Sequence, residues 1–291
     1  MEALSDFFVL PFIFPFMQNA FLITMLIAAA AGLLSCFLVL KGWALMGDAV
    51  AHAVLPGVVI AYVIGIPVAM GAFGAAMICA ISAGYIDDNC RVKGDTVLGV
   101  VFSGMFGLGL VLYLKVDTNV HLDHILFGDM LGLTPQDMML TGVIVSIAIL
   151  VTLVKRRDFM LFSFDPQHAG AIGLSVKWLH YGLLILLSMT IVGALSAIGI
   201  ILSVALLIAP GAIAFLLTDR FERMLAYSTA IAVGSSFLGI FASFHINSAP
   251  APTIVLIMAL LFVLVFLFGP RNGLLRRQKY TGTQFQDESA N

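Results

Sequence analysis

The chain has 291 residues, 61% of them hydrophobic and 10% charged, with a net charge of −2 and a mean hydropathy of +1.10. A soluble domain carries roughly 25% charged residues, and a surface this poor in charge is not covered in water. A soluble globule, a disordered chain and a nucleic-acid binder, which needs a basic field, are excluded; the apolar surplus calls for a membrane as solvent.

At about 20 residues per membrane-spanning helix, the length accommodates roughly ten spans and leaves no room for an ATP-binding or catalytic domain beside them. Long apolar runs separated by short polar breaks predict the spans in chain order. The first covers residues 14–40 and stops at Lys41-Gly42, and the second covers 43–64 and contains Asp48, His52 and Pro56. The third covers 68–86 and is followed by a polar stretch with Arg91 and Lys93. The fourth covers 96–114, and a mixed segment leads from Lys115 to Asp137. The fifth covers 138–154, followed by a loop that opens on Lys155-Arg156-Arg157-Asp158 and includes His168 and His180 in its reach. Residues 179–218 are long enough for two spans turning near Ser196–Gly199; the last two cover 224–244 and 253–268. Barrel strands would be alternating segments of about 10 residues, whereas these runs are continuous. The expected fold is an all-α polytopic bundle of about nine spans, or eight if the stretch near Ser196 is re-entrant. Residues 1–270 form one transmembrane domain in this reading, and 271–291 a polar cytoplasmic tail.

Cations set the expected orientation. Of the 14 Lys and Arg residues, all but Lys115 fall in alternate loops of the nine-span arrangement. The basic side is cytoplasmic by the positive-inside rule, which places the C-terminus inside and the N-terminus outside. Met1–Asp6 carries Glu2 and Asp6 and no cation, unlike the start of a cleavable signal peptide. Cys36, Cys79 and Cys90 lie far apart and form neither a metal pattern nor a disulfide framework. Small residues crowd the spans, as expected where helices pack by close backbone approach.

Of the 16 Asp and Glu residues, only Asp48 falls inside a span, and of the 6 histidines only His52 lies well inside one. Their i, i+4 spacing puts both on one helix face. A carboxylate at the bilayer centre costs about 2.5–3.5 kcal/mol on insertion scales and usually faces a bundle interior or a polar path. The pair reads either as a structural hydrogen bond or as two metal ligands, since imidazole with carboxylate suits divalent transition metals. Two ligands are an incomplete shell; a symmetric dimer would supply two Asp and two His around its axis. A closed structural zinc site would be richer in Cys and His. Pro56-Gly57 follows, and the proline frees the carbonyl of His52 and loosens the helix there, as a tolerated kink or as a gate.

The run Leu40-Lys41-Gly42-Trp43-Ala44-Leu45-Met46-Gly47-Asp48-Ala49-Val50-Ala51-His52-Ala53-Val54-Leu55-Pro56-Gly57 resembles the signature of the membrane permeases of bacterial ABC importers for manganese, iron and zinc. His124-Ile125-Leu126-Phe127-Gly128-Asp129 is similar to that family's outer-loop segment. Phe164-Asp165-Pro166-Gln167-His168-Ala169-Gly170, with Gly173 after it, is similar to its cytoplasmic coupling segment. The wording at Leu40–Trp43 favours the manganese and chelated-iron branch over the zinc branch. The resemblance implies that Asp48 and His52 coordinate the transported ion or close its path on the outer side. It implies three partners in a bacterial cytoplasmic membrane: an ATP-binding subunit docked on the coupling segment, a second permease, identical or paralogous, and an external metal-binding protein. Lipid surrounds the bundle. No GxxxxGK[ST] phosphate loop occurs in the chain, so ATP hydrolysis belongs to another subunit, this chain is expected not to be an enzyme, and it is expected to hold no permanent cofactor.

Asp117, His121, Asp123 and His124 in the outer segment read either as cation-attracting ligands at the mouth or as a solvated rim for a partner protein. In the coupling segment, Asp165 suits an N-cap, Pro166 the first helical position and Gly173 a stop. Two other functions fit the same residues in part. A carrier or channel working without ATP would use the same Asp48. An intramembrane aspartyl protease needs a second carboxylate, which no span supplies.

Overall fold

The computed structural model describes residues 9–92, 94–116 and 128–269. Among the described residues there are only helices and connecting turns, and eight helices are long and apolar enough to cross a membrane. In chain order the elements are α1 (Pro15–Lys41), α2 (Ala44–Ala53), α3 (Leu55–Ile64), α4 (Val68–Asn89), α5 (Gly94–Lys115), α6 (Pro135–Val154), α7 (Arg156–Phe164), α8 (Pro166–Ala171), α9 (Val176–Leu217), α10 (Phe221–Ile246) and α11 (Pro250–Phe268). Together α2 and α3 make one span, Ala44–Ile64. The polar tail, 271–291, lies outside the described residues.

Helix ends follow local chemistry. Gly42 and Gly65 close α1 and α3 in left-handed backbone, at φ 72° and 79°, which glycine adopts without a Cβ clash. Thr134 caps α6, its hydroxyl accepting the Asp137 N–H at 3.2 Å, with Pro135 at the first helical position.

The stretch expected to hold two spans is a single 42-residue element, α9, with Gly199 at φ 72°, ψ 177° inside it. A straight helix of that length would reach about 63 Å. Instead its two ends meet the same end of the bundle. Near the start, His180 packs edge-on to Trp43 at 5.1 Å. Just beyond the other end, the Phe221 ring packs at a tilt against Phe37 at 5.3 Å and Glu222 pairs with Arg156 at 3.2 Å. The middle sits at the opposite end, where the Ser196 carbonyl accepts the Asp129 N–H at 3.3 Å. The element is therefore a hairpin of two legs, broken where the sequence placed the turn. Gly128, at φ 70°, lies so close to the Gly199 backbone that a Cβ would not fit.

The core sits between α1, the two legs of α9 and α10. Phe37, Ile23, Ile27, Leu34, Leu184, Leu187, Ile191, Ile198 and Leu202 are fully buried there. Polar groups stitch these helices together. Ser35 donates to the Ile208 carbonyl at 3.2 Å, and Ser228 on α10 donates to the Gly32 carbonyl at 2.6 Å. In contrast α5, α6 and α11 are mostly exposed along their length, the pattern of helices whose outer faces meet lipid or another membrane helix.

Two features of the 155–178 region differ from a plain loop. Residues 156–164 form α7, a short helix that buries Phe159 and Phe162; its three-residue apolar spacing between charged residues is the signal that marks it. His180, expected in the loop, is inside α9 and packs against Trp43, Phe162 and Tyr181.

Candidate functional site

Asp48 and His52 lie one turn apart on α2, with His52 Nε2 3.4 Å from Asp48 Oδ1. Both are half open, with side-chain exposures of 27% for His52 and 39% for Asp48. Met46, Gly47, Ala49, Val50, Ala51 and Ala53 of the same helix are buried, while Leu45 is exposed. The helix thus turns most of its small and apolar residues into the bundle and its two ionisable residues toward an open face shared with Leu45. Two aromatic rings of α5 flank the imidazole, Phe102 at 5.8 Å and Phe106 edge-on at 5.5 Å. They were not singled out from the sequence; their i, i+4 spacing on the fourth span is the signal that could have found them. His52 Nδ1 is buried with no hydrogen-bond partner among the described residues.

The chemistry this allows is narrow. No three of His, Cys, Asp and Glu come together among the described residues. One chain therefore offers one carboxylate and one imidazole here, fewer than the four or more ligands a divalent transition metal takes. A lone carboxylate at a half-open position within a span is poorly served by lipid. Elsewhere on α5, Gly99, Gly104 and Gly107 have open space where a side chain would stand, so another helix can approach α5 closely.

Just past His52 the hydrogen-bond ladder is interrupted at Val54. Pro56 has no N–H for the His52 carbonyl, which takes the Val54 N–H instead. Val54 keeps helical angles, φ −65° and ψ −30°, so the interruption lies in bonding and not in direction. Gly57 is required by packing: a Cβ there would run into the Gly71 carbonyl and Ala75 of α4. On the other side, a Cβ on Gly109 of α5 would stand 2.8 Å from the Pro56 nitrogen. The Pro56-Gly57 segment is thus gripped between two helices by glycine contacts.

The predicted coupling residues form a separate group at the basic end. Asp165 caps α8, its carboxylate accepting the Gln167 and His168 N–H groups at 3.0 and 2.9 Å, with Pro166 next. Gly173, at φ 88°, ends the turn, and the Leu174 N–H returns to the Ala169 carbonyl at 3.0 Å. Ala169 is buried, Gly170 is exposed, and Phe164 is exposed beside them. Asp117, His121, Asp123 and His124 lie outside the described residues. Asp129, which follows them, accepts the Gly132 N–H at 2.9 Å. It shares with Asp137 and Ser196 a cavity of about 460 Å³ beside Pro67 at the end opposite the basic one.

Among the described residues, an all-helical bundle with eight candidate spans and an ionisable pair inside one of them defines an integral membrane protein. The comparisons with known proteins agree. The family model described as "ABC 3 transport family" matches residues 13–269, and the chain belongs to that family. It is 52% identical over 258 residues to the chelated iron transport system membrane protein YfeD of Yersinia pestis, covering 89% of this chain and 87% of that protein. It is 43% identical over 280 residues to the manganese transport system membrane protein MntB of Synechocystis, covering 96% and 92%. The structure of PsaBC from Streptococcus pneumoniae in complex with Fab superposes with a TM-score of 0.84 at 33% identity, covering 94% of this chain and 99% of that one.

Proposed function

We propose that this chain is the permease of an ATP-driven importer that moves a divalent metal ion, Mn²⁺ or Fe²⁺, from the outer side into the cytoplasm. The observation that carries the reading is the half-open Asp48–His52 pair within a span, flanked by Phe102 and Phe106 of α5. Such a surface is complete only when a second permease, identical or paralogous, faces it and brings its own ligands. The names of the manganese and chelated-iron relatives favour those two metals over Zn²⁺.

The membrane is crossed nine times in this reading, since the two legs of α9 each make a passage. The basic end is cytoplasmic, with the N-terminus outside and the C-terminus inside a bacterial cytoplasmic membrane. An ATP-binding subunit docks on the capped helix α8, and an external metal-binding protein delivers the ion at the opposite end. The ion exchanges water for carboxylate and imidazole between the two permeases. ATPase closure then moves α2 against its neighbours, so the ligands hold the ion in one conformation and lose their geometry in the other. The segment gripped at Pro56-Gly57 serves as the point about which the outer half of the span holds still.

The test is metal uptake by proteoliposomes holding the permeases and the ATPase, supplied with the external binding protein. Uptake should require ATP and be lost in Asp48→Ala while the complex stays assembled. Uptake by this chain alone down an ion gradient would overturn the reading in favour of a carrier.

A further inference from the structure

We infer that Lys41, Trp43, Phe162 and His180 form a relay that carries movement of the coupling segment to the helix bearing Asp48 and His52. The inference rests on the permease reading above and adds the residues through which the two ends of the mechanism communicate.

The four side chains come from three helices and from the turn that leads into α2, and meet at the basic end. The Lys41 ammonium, at the last residue of α1, stands 4.2 Å from the centre of the Phe162 ring and 5.7 Å from that of Trp43. Phe162, 1% exposed, is on α7, which runs through Asp165 directly into α8. The His180 ring of α9 is edge-on to both Trp43, at 5.1 Å, and Phe162, at 6.2 Å. Gly84 of α4 makes room for it, since a Cβ there would stand 3.2 Å from His180 Nε2. A cation over an aromatic face is held by the ring quadrupole, and more strongly where water is scarce.

The chain path makes this cluster a transmitter. Trp43 directly precedes α2, and Asp48 follows it by five residues, about 7.5 Å along the helix. Between Lys41 and Trp43 lies Gly42 at φ 72°, the one place where α2 can pivot against α1 without a Cβ penalty. The body of α1 is fixed in the core through Gly32 and Ser35. A push on Phe162 from α8 therefore bears on the end of α1 at Lys41 and, through His180, on Trp43, and turns α2 about Gly42 while the body of α1 stays in place. Dense aromatic packing passes on such a displacement because it has no slack to absorb it. Lys41 and Phe162 are positioning residues: neither lies on the metal or on the ATP.

The experiment uses the assembled permease–ATPase complex in proteoliposomes with the external binding protein, and reads metal imported per ATP hydrolysed with labelled Mn²⁺ and Fe²⁺. Phe162→Leu and Lys41→Met should leave assembly and the hydrolysis rate within about twofold of wild type and cut metal per ATP at least about fivefold. Lys41→Arg, which keeps a cation over the ring, should retain most of the ratio. Should Phe162→Leu fail to assemble, the Lys41 pair decides. A wild-type ratio in Lys41→Met overturns the relay. So does equal loss of assembly or of hydrolysis in Lys41→Met and Lys41→Arg, which would mark the cluster as structural only. Both results presuppose that the wild type pumps; absence of ATP-driven uptake in the wild type overturns the permease reading itself.

Discussion

The hydroxyl of Ser35 on α1 accepts the N–H of Gly211 on α9 at 2.9 Å while donating to the Ile208 carbonyl at 3.2 Å. Pro210 precedes Gly211 in the helix and has no N–H for the ladder, so Ser35 ties α1 to α9 beside an interruption in that ladder. Ser35→Ala should lower stability by about 0.6–1.7 kcal/mol, the range for hydrogen bonds between membrane helices. Gly211→Ala should cost more, because its Cβ would stand 2.5 Å from the Ser35 hydroxyl and 2.6 Å from its carbonyl oxygen. Denaturant unfolding in detergent, followed by circular dichroism, checks both.

The polar pair on α2 yields a prediction about transport alone. Asp48→Ala and His52→Ala should each reduce ATP-driven Mn²⁺ uptake by more than about tenfold, because on the proposed function each is a metal ligand, and no other His, Cys, Asp or Glu joins them among the described residues. Thermal stability should hold within about 1 kcal/mol, since both side chains are half open and the pair is an exposed-type contact. A radiotracer assay with a parallel melting curve separates the two effects.

Glycines on either side of the Pro56 break should behave in opposite ways. Gly57→Ala meets the Gly71 carbonyl and Ala75 and should destabilise the single permease by about 1–3 kcal/mol, as overpacking does. At Gly104 and Gly107 an added Cβ meets nothing within 4 Å, so Gly104→Leu and Gly107→Leu should leave the stability of the single permease unchanged. On the proposed arrangement they should weaken the pairing of two permeases, seen as a shift to single copies in native mass spectrometry. Unchanged pairing would place the interface elsewhere.

The cap of α8 gives a prediction at the basic end. Asp165→Ala strips the acceptor from two N–H groups and should cost about 0.5–2 kcal/mol locally. Association with the ATPase, measured by pull-down of the solubilised complex, should fall severalfold. Asp165→Asn retains an acceptor and should keep most of it.

Much of this was legible in the chain. Each span is a local sum of hydropathy, so the apolar runs translate directly into helices. The caps at Asp165 and the break at Gly199 sit where residue type demanded them. The i, i+4 pair needed only helix geometry. What was hidden depends on neighbours remote in sequence. The apolar spacing of Phe159 and Phe162 marks a helix, but not that Phe162 lies under Lys41. His180 counted as a loop residue because Gly173, Ser175 and Lys177 before it mask where α9 starts. The need for Gly at 57 and 71 is visible only where two backbones cross.

Residue order alone thus determined a membrane protein, its helices and a single ionisable pair on one of them, because hydropathy and helical period act over a few turns of chain. Tertiary structure decided that Asp48 and His52 face an open side next to Phe102 and Phe106, and that Lys41 meets Phe162. Those relationships join residues tens to more than a hundred positions apart. They are set by which helix faces find partners in the bundle, a quantity that no local stretch of sequence contains.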